Sequence, residues 1–213
     1  MSGLIKKDFY IMRALIKPIN YIFIFLAVLA AFIFYQGIGG MYVALFLPLV
    51  ITGFTKTIMV YDTQCRWDKM AIALPVTRKR IVASKYLFFV ILATIASAIA
   101  LSLCIVTMLL FGEMTLDLCV KFVIAGFLLS VFYGLLIIPS CYAWGSNGGQ
   151  LSMFLSVALF LLIVYILKKA NIDLENLGVW LANNSIIIVI IALAFISLIS
   201  YNLSVYFYTK VHS

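Results

Sequence analysis

Two uncharged runs decide what this chain can become. From Pro18 to Thr55 no Asp, Glu, Lys or Arg occurs in 38 positions, and from Phe122 to Leu167 none occurs in 46. A helix needs roughly 20 apolar residues to cross the hydrocarbon layer, so each run is about two crossings long. The whole chain is 66% hydrophobic and 10% charged, with a mean hydropathy of +1.22. A soluble fold has too little polar surface here to cover such a core. Lipid offers no partner to a free backbone N–H or C=O, whereas a helix satisfies these groups internally. The expected class is therefore an all-α, polytopic membrane protein.

Turn-forming clusters divide the runs. Gln36-Gly37-Ile38-Gly39-Gly40 breaks the first, and Trp144-Gly145-Ser146-Asn147-Gly148-Gly149 the second. The division predicts six spans at 19–36, 41–61, 86–111, 118–143, 150–167 and 185–208. Together they make one transmembrane domain, residues 18–213, preceded by a separate segment 1–17. In that segment Ile5, Phe9, Met12 and Ile16 recur at four, three and four residues, with Lys6, Arg13 and Lys17 on other faces and Ser2 placed to cap. The pattern predicts an amphipathic helix lying on lipid, its cations near anionic headgroups. The alternative is a charged leader that only sets topology.

The longest charged stretch between spans is 62–85. Within it Trp67, Met70, Ala71 and Leu74 fall at i, i+3, i+4 and i+7, one face of a short helix. Pro75 ends that helix and Thr77 can cap the next, which runs through Lys85. An ordinary basic loop is the competing interpretation. In 170–184, Leu174, Leu177 and Leu181 share a helical face, which fits a short external helix or a loop equally.

Orientation follows from the basic residues. With six spans, Lys6, Lys7, Arg13, Lys17, Lys56, Arg66, Lys69, Arg78, Lys79, Arg80, Lys85 and Lys210 share one side, 12 of the 15. Both termini and the 62–85 segment are thus expected in the cytoplasm, with the chain in the plasma membrane. The net charge of +8 sits in short loops between spans, so it points to topology and not to nucleic acid.

Catalytic chemistry is sparse. Cys65, Cys104, Cys119 and Cys141 have no metal-site spacing, and at least two lie in apolar stretches. The one histidine is His212, and neither a hydrolase triad nor a zinc motif can be assembled. No phosphate-cradling GxxxxGK[ST] loop is present, so ATP binding by such a loop is excluded. No carboxylate lies deep in an expected span, which argues against a proton- or sodium-coupled carrier. Hydroxyls and amides within the spans, such as Thr52, Ser97, Thr107, Ser130 and Asn202, read as glue between helices.

The stretch Asp62, Trp67-Asp68-Lys69, Leu74-Pro75-Val76-Thr77-Arg78-Lys79, Ile81-Val82 and Ser84-Lys85-Tyr86 resembles the segment before the third span of ABC-2 type permeases, the membrane subunits of ATP-driven exporters. The rest of the chain is similar by topology alone. Arg80 departs from the pattern, since an acidic residue there would complete a capping box with Thr77. The resemblance implies that the loop helix docks in a groove of a separate ATPase. Trp67, Met70 and Leu74 would be its anchors, flanked by Arg66, Asp68, Lys69, Arg78 and Lys79. It further implies a second permease, identical or different, and ATP with magnesium bound at the ATPase, with no cofactor on this chain. An apolar or amphipathic cargo (peptide, lipid or drug) would follow. A non-transporting scaffold, assembly or immunity protein has the same spans without an ATPase.

Overall fold

A computed structural model describes residues 2–72, 76–112, 115–152 and 186–211, together with 154, 156 and 158. Every regular element among the described residues is a helix. The helices are α1 (Ser2–Leu15), α2 (Pro18–Thr52), α3 (Phe54–Gln64), α4 (Trp67–Ile72), α5 (Arg78–Phe111), α6 (Leu116–Trp144) and α7 (Ile186–Val211). Leu74, Pro75, Glu113, His212, most of the expected fifth span and the segment 170–184 lie outside the described residues. Ile38–Gln64, Arg78–Phe111 and Leu116–Trp144 are each long and apolar enough to cross a membrane, and Gly3–Leu15 with Pro18–Phe34 would count as one more bent crossing.

Local chemistry sets the boundaries. Pro18 stands at the start of α2 and forces Lys17 into an extended conformation (φ −67°, ψ 149°). The chain consequently turns by 84° between α1 and the first arm of α2. That first arm then doubles back on the second, because Gly39 lies directly against the Ala31 carbonyl. In a straight helix eight residues would separate those two by about 12 Å. Gly112 ends α5 in the left-handed region (φ 67°), where its N–H caps the Met108 carbonyl. Thr77 occupies the N-cap of α5 with extended backbone, yet its hydroxyl makes no capping hydrogen bond. Only its carbonyl engages, accepting from the N–H groups of Arg80 and Ile81.

The chain divides into two compact units, residues 1–134 and 135–213. The first has a core of Val43, Ala44, Leu47, Ala100, Cys104, Cys119 and Val123. There the Cys119 thiol donates to the Cys104 carbonyl at 3.7 Å. Pro48 sits inside α2 and has no N–H for the Ala44 carbonyl. Gly126 of α6 packs on that same Ala44 carbonyl and on Leu45. Nearby, Thr52 turns its hydroxyl back to the Pro48 carbonyl at 2.7 Å. In the second unit Ser200 of α7 donates to the Leu135 carbonyl at 2.6 Å, and Tyr142 and Tyr208 meet edge to face at 5.3 Å.

A methyl group at position 126 would strike backbone, which cannot rotate aside. Gly126→Ala should therefore destabilise the protein by about 1–3 kcal/mol. Thermal unfolding in detergent checks this against Gly3→Ala, where an added Cβ meets nothing.

Candidate functional site

The residues of the charged segment divide on folding. At the end of α3 the Cys65 N–H bonds the Tyr61 carbonyl, and Arg66 then takes a left-handed conformation (φ 52°) that redirects the chain into α4. Trp67 is half-buried and Ala71 is buried, while Met70 is 65% exposed. Trp67, Met70 and Ala71 thus do not present one common apolar face. Arg66 is exposed beside them, and Arg78 and Lys79 are exposed at the start of α5. Asp68 and Lys69 are placed by the α4 backbone.

Trp67 is held by α1. The Lys7 ammonium lies 4.0 Å from the centre of its ring, a cation–π distance. The same ammonium donates to both carboxylate oxygens of Asp62, at 2.9 and 3.0 Å. Behind it lies a charge cluster of three helices. Lys85 of α5 donates to Asp8 of α1 at 2.7 Å and to Asp62 of α3 at 2.6 Å. Lys7 is also 3.3 Å from Asp8. Asp8, Lys85 and Asp62 are 0%, 4% and 6% exposed. Two lysines and two aspartates leave the cluster formally neutral, which is what burial of charge requires.

Apolar packing surrounds the cluster. Ile5, Phe9, Ile11 and Met12 of α1 pack against Ile58, Phe88 and Leu92, with Phe9 edge to face on Phe88 at 5.0 Å. Ile16 is buried as well. The apolar stripe expected to lie in lipid is therefore packed in part on α3 and α5, which ties α1 to the body. This cluster is not among the sequence expectations. A signal existed in Asp8, the one acidic residue of a strongly basic N-terminal segment. Its partner Lys85, however, lies 77 positions away.

Long apolar helices joined by an amphipathic element and a short charged connection define a helical membrane protein. The model of one family, described as ABC-2 family transporter protein, matches residues 3–209, so the chain belongs to the ABC-2 transporter family. No curated protein and no solved structure matches it significantly. Members of this family are membrane components of transport systems and are not themselves catalytic.

One Asp8 oxygen, Oδ2, is buried without a hydrogen-bond partner among the described residues. The carboxylate thus depends chiefly on Lys85, at 2.7 Å, with Lys7 farther off at 3.3 Å. Removing one member of a buried pair typically costs 3–5 kcal/mol. Lys85→Met should lose stability on that scale, and adding Asp8→Asn and Asp62→Asn should recover most of the loss. Lys7→Met, at the partly exposed edge, should lose about 1 kcal/mol. Unfolding of the three variants and the parent in one detergent measures all three expectations.

Proposed function

We propose that the chain is the permease subunit of an ATP-driven exporter, and that α4 is the element through which a separate ATPase acts on it. The permease would have six spans and both termini in the cytoplasm of a plasma-membrane assembly. It would pair with a second permease, identical or different, to enclose the path of an apolar or amphipathic cargo. ATP and magnesium would be handled by the ATPase. The observation that carries this reading is Met70, an exposed apolar side chain on a short helix where Trp67 is held by Lys7 and Ala71 is buried. An exposed methionine on a segment that also exposes Arg66, Arg78 and Lys79 suits a groove with an apolar floor and an acidic rim.

The charge cluster supplies a route for the push. Trp67 is gripped by Lys7, Lys7 by Asp62, and Asp62 by Lys85, which also holds Asp8. Displacement of α4 would reach α1 through the Trp67–Lys7 contact and α5 through Lys85. Packed contacts of this kind have few intermediate arrangements, so motion at one end is passed on and not absorbed.

The test is co-purification with a co-expressed candidate ABC ATPase from the same organism, followed by ATP hydrolysis in liposomes. Met70→Ala should weaken assembly about tenfold, as loss of a buried anchor worth about 1.4 kcal/mol would. Arg78→Ala should cost less than about 1 kcal/mol and show the stronger salt dependence. If Met70→Ala combined with Leu74→Ala assembles and hydrolyses ATP like the parent, α4 is not the coupling element.

A further inference from the structure

We propose that the outward face of α1 is a binding site for the headgroup of an anionic phospholipid. The proposal rests on the chain being a membrane protein and is independent of the ATPase. Its starting point is the reassignment of the apolar stripe. Because Ile5, Phe9 and Met12 pack in part on Ile58, Phe88 and Leu92, most of that stripe is turned toward protein. The buried Asp8–Lys85 pair fixes its rotation. A second face is thereby held outward.

That face carries Lys6, Tyr10 and Arg13, spaced by four and three residues, and all are exposed; Lys17, just past the end of α1, is exposed as well. Tyr10 is 72% exposed, far more than a tyrosine with only a packing role. Lys6, Tyr10 and Arg13, with Phe9 and Met12, line an open surface groove of about 650 Å³. The only acidic residue in the first 17 is Asp8, which is buried and paired, so no carboxylate opposes an anion here. The 84° turn at Pro18 sets α1 across the first arm of α2. With that arm crossing the bilayer, α1 lies in the plane of the surface, and its Arg13 end is nearest the point where the chain enters lipid.

The chemistry fits a phosphodiester over a glycerol backbone. Arg13 offers a planar pair of donors to the phosphate, Lys6 a point charge, and Tyr10 a hydroxyl donor. Phe9 and Met12 give an apolar floor for the glycerol and the first acyl carbons. An acidic protein surface would satisfy the cations and leave that floor unused. Each cation near an anionic membrane surface is worth about fivefold in affinity, so two are worth roughly 25-fold.

The experiment uses the full chain in phosphatidylcholine nanodiscs with and without phosphatidylglycerol, and counts retained lipid by native mass spectrometry. The parent should retain phosphatidylglycerol over phosphatidylcholine. Lys6→Gln with Arg13→Gln should weaken that preference about 25-fold, and Arg13→Lys alone by a smaller factor because it keeps the charge. Lys121→Gln, at the exposed start of α6, should leave the preference intact. An unchanged preference in the double variant, or none in the parent, overturns the proposal. Displacement of the lipid by inorganic phosphate at equal concentration would also overturn it, by showing a site for the free anion. Should the double variant fail to fold, Tyr10→Phe and Arg13→Lys still decide, since both leave the packed face untouched and both must lower retention.

Discussion

A lysine buried between two carboxylates governs the arrangement of the first unit. Lys85 would be intolerable in an apolar interior alone, and so would Asp8 or Asp62. Held together at 2.6 and 2.7 Å, they compensate one another, and only in one relative placement of α1, α3 and α5. Such a cluster adds little net stability over an apolar core of equal volume. What it adds is geometry: α1 is locked in rotation, α3 is locked to α5, and Lys7 is set where Trp67 can rest on it. The position of α4, and therefore of exposed Met70, follows from that chain of contacts.

Within the apolar part of the first unit, close backbone approach takes the place of the hydrophobic effect, which gives helices in lipid little reason to associate. Gly39 against Ala31, Gly40 against Thr107 and Gly126 against Ala44 are points where a side chain would hold the helices apart. Pro48 contributes from the opposite direction. It withholds a hydrogen bond from the Ala44 carbonyl and leaves the spot where Gly126 fits. The hydroxyls of Thr52, Ser84 and Thr107 return to their own helix at carbonyls three or four residues back. They satisfy themselves locally and do not bridge to a neighbour.

Helical class and membrane character were legible because charge avoidance over tens of residues has one physical solution in lipid. Some boundaries were legible too, where one residue restricts the backbone by itself, as Pro18 and Gly112 do. The charge cluster was not. Asp8, Asp62 and Lys85 each sit among other polar residues, and nothing local separates a solvated aspartate from one paired across the fold. Periodicity likewise grouped Trp67 with Met70, since both belong to one helical arc. It could not register Lys7 coming from another helix to cover Trp67 alone. The apolar stripe of α1 is visible in the sequence, but periodicity cannot say whether protein or lipid covers it.

The central claim, that α4 is where an ATPase meets this permease, is tested most directly by proximity. The native cysteines would be replaced, a single cysteine placed at position 70, and membranes also containing a co-expressed candidate ATPase treated with a short bifunctional crosslinker. A cysteine at position 110 serves as the comparison, because Leu110 is as exposed as Met70 but lies at the far end of α5. The account predicts an adduct with the ATPase from position 70 and none from position 110. No adduct from 70, or equal adducts from both, would contradict it.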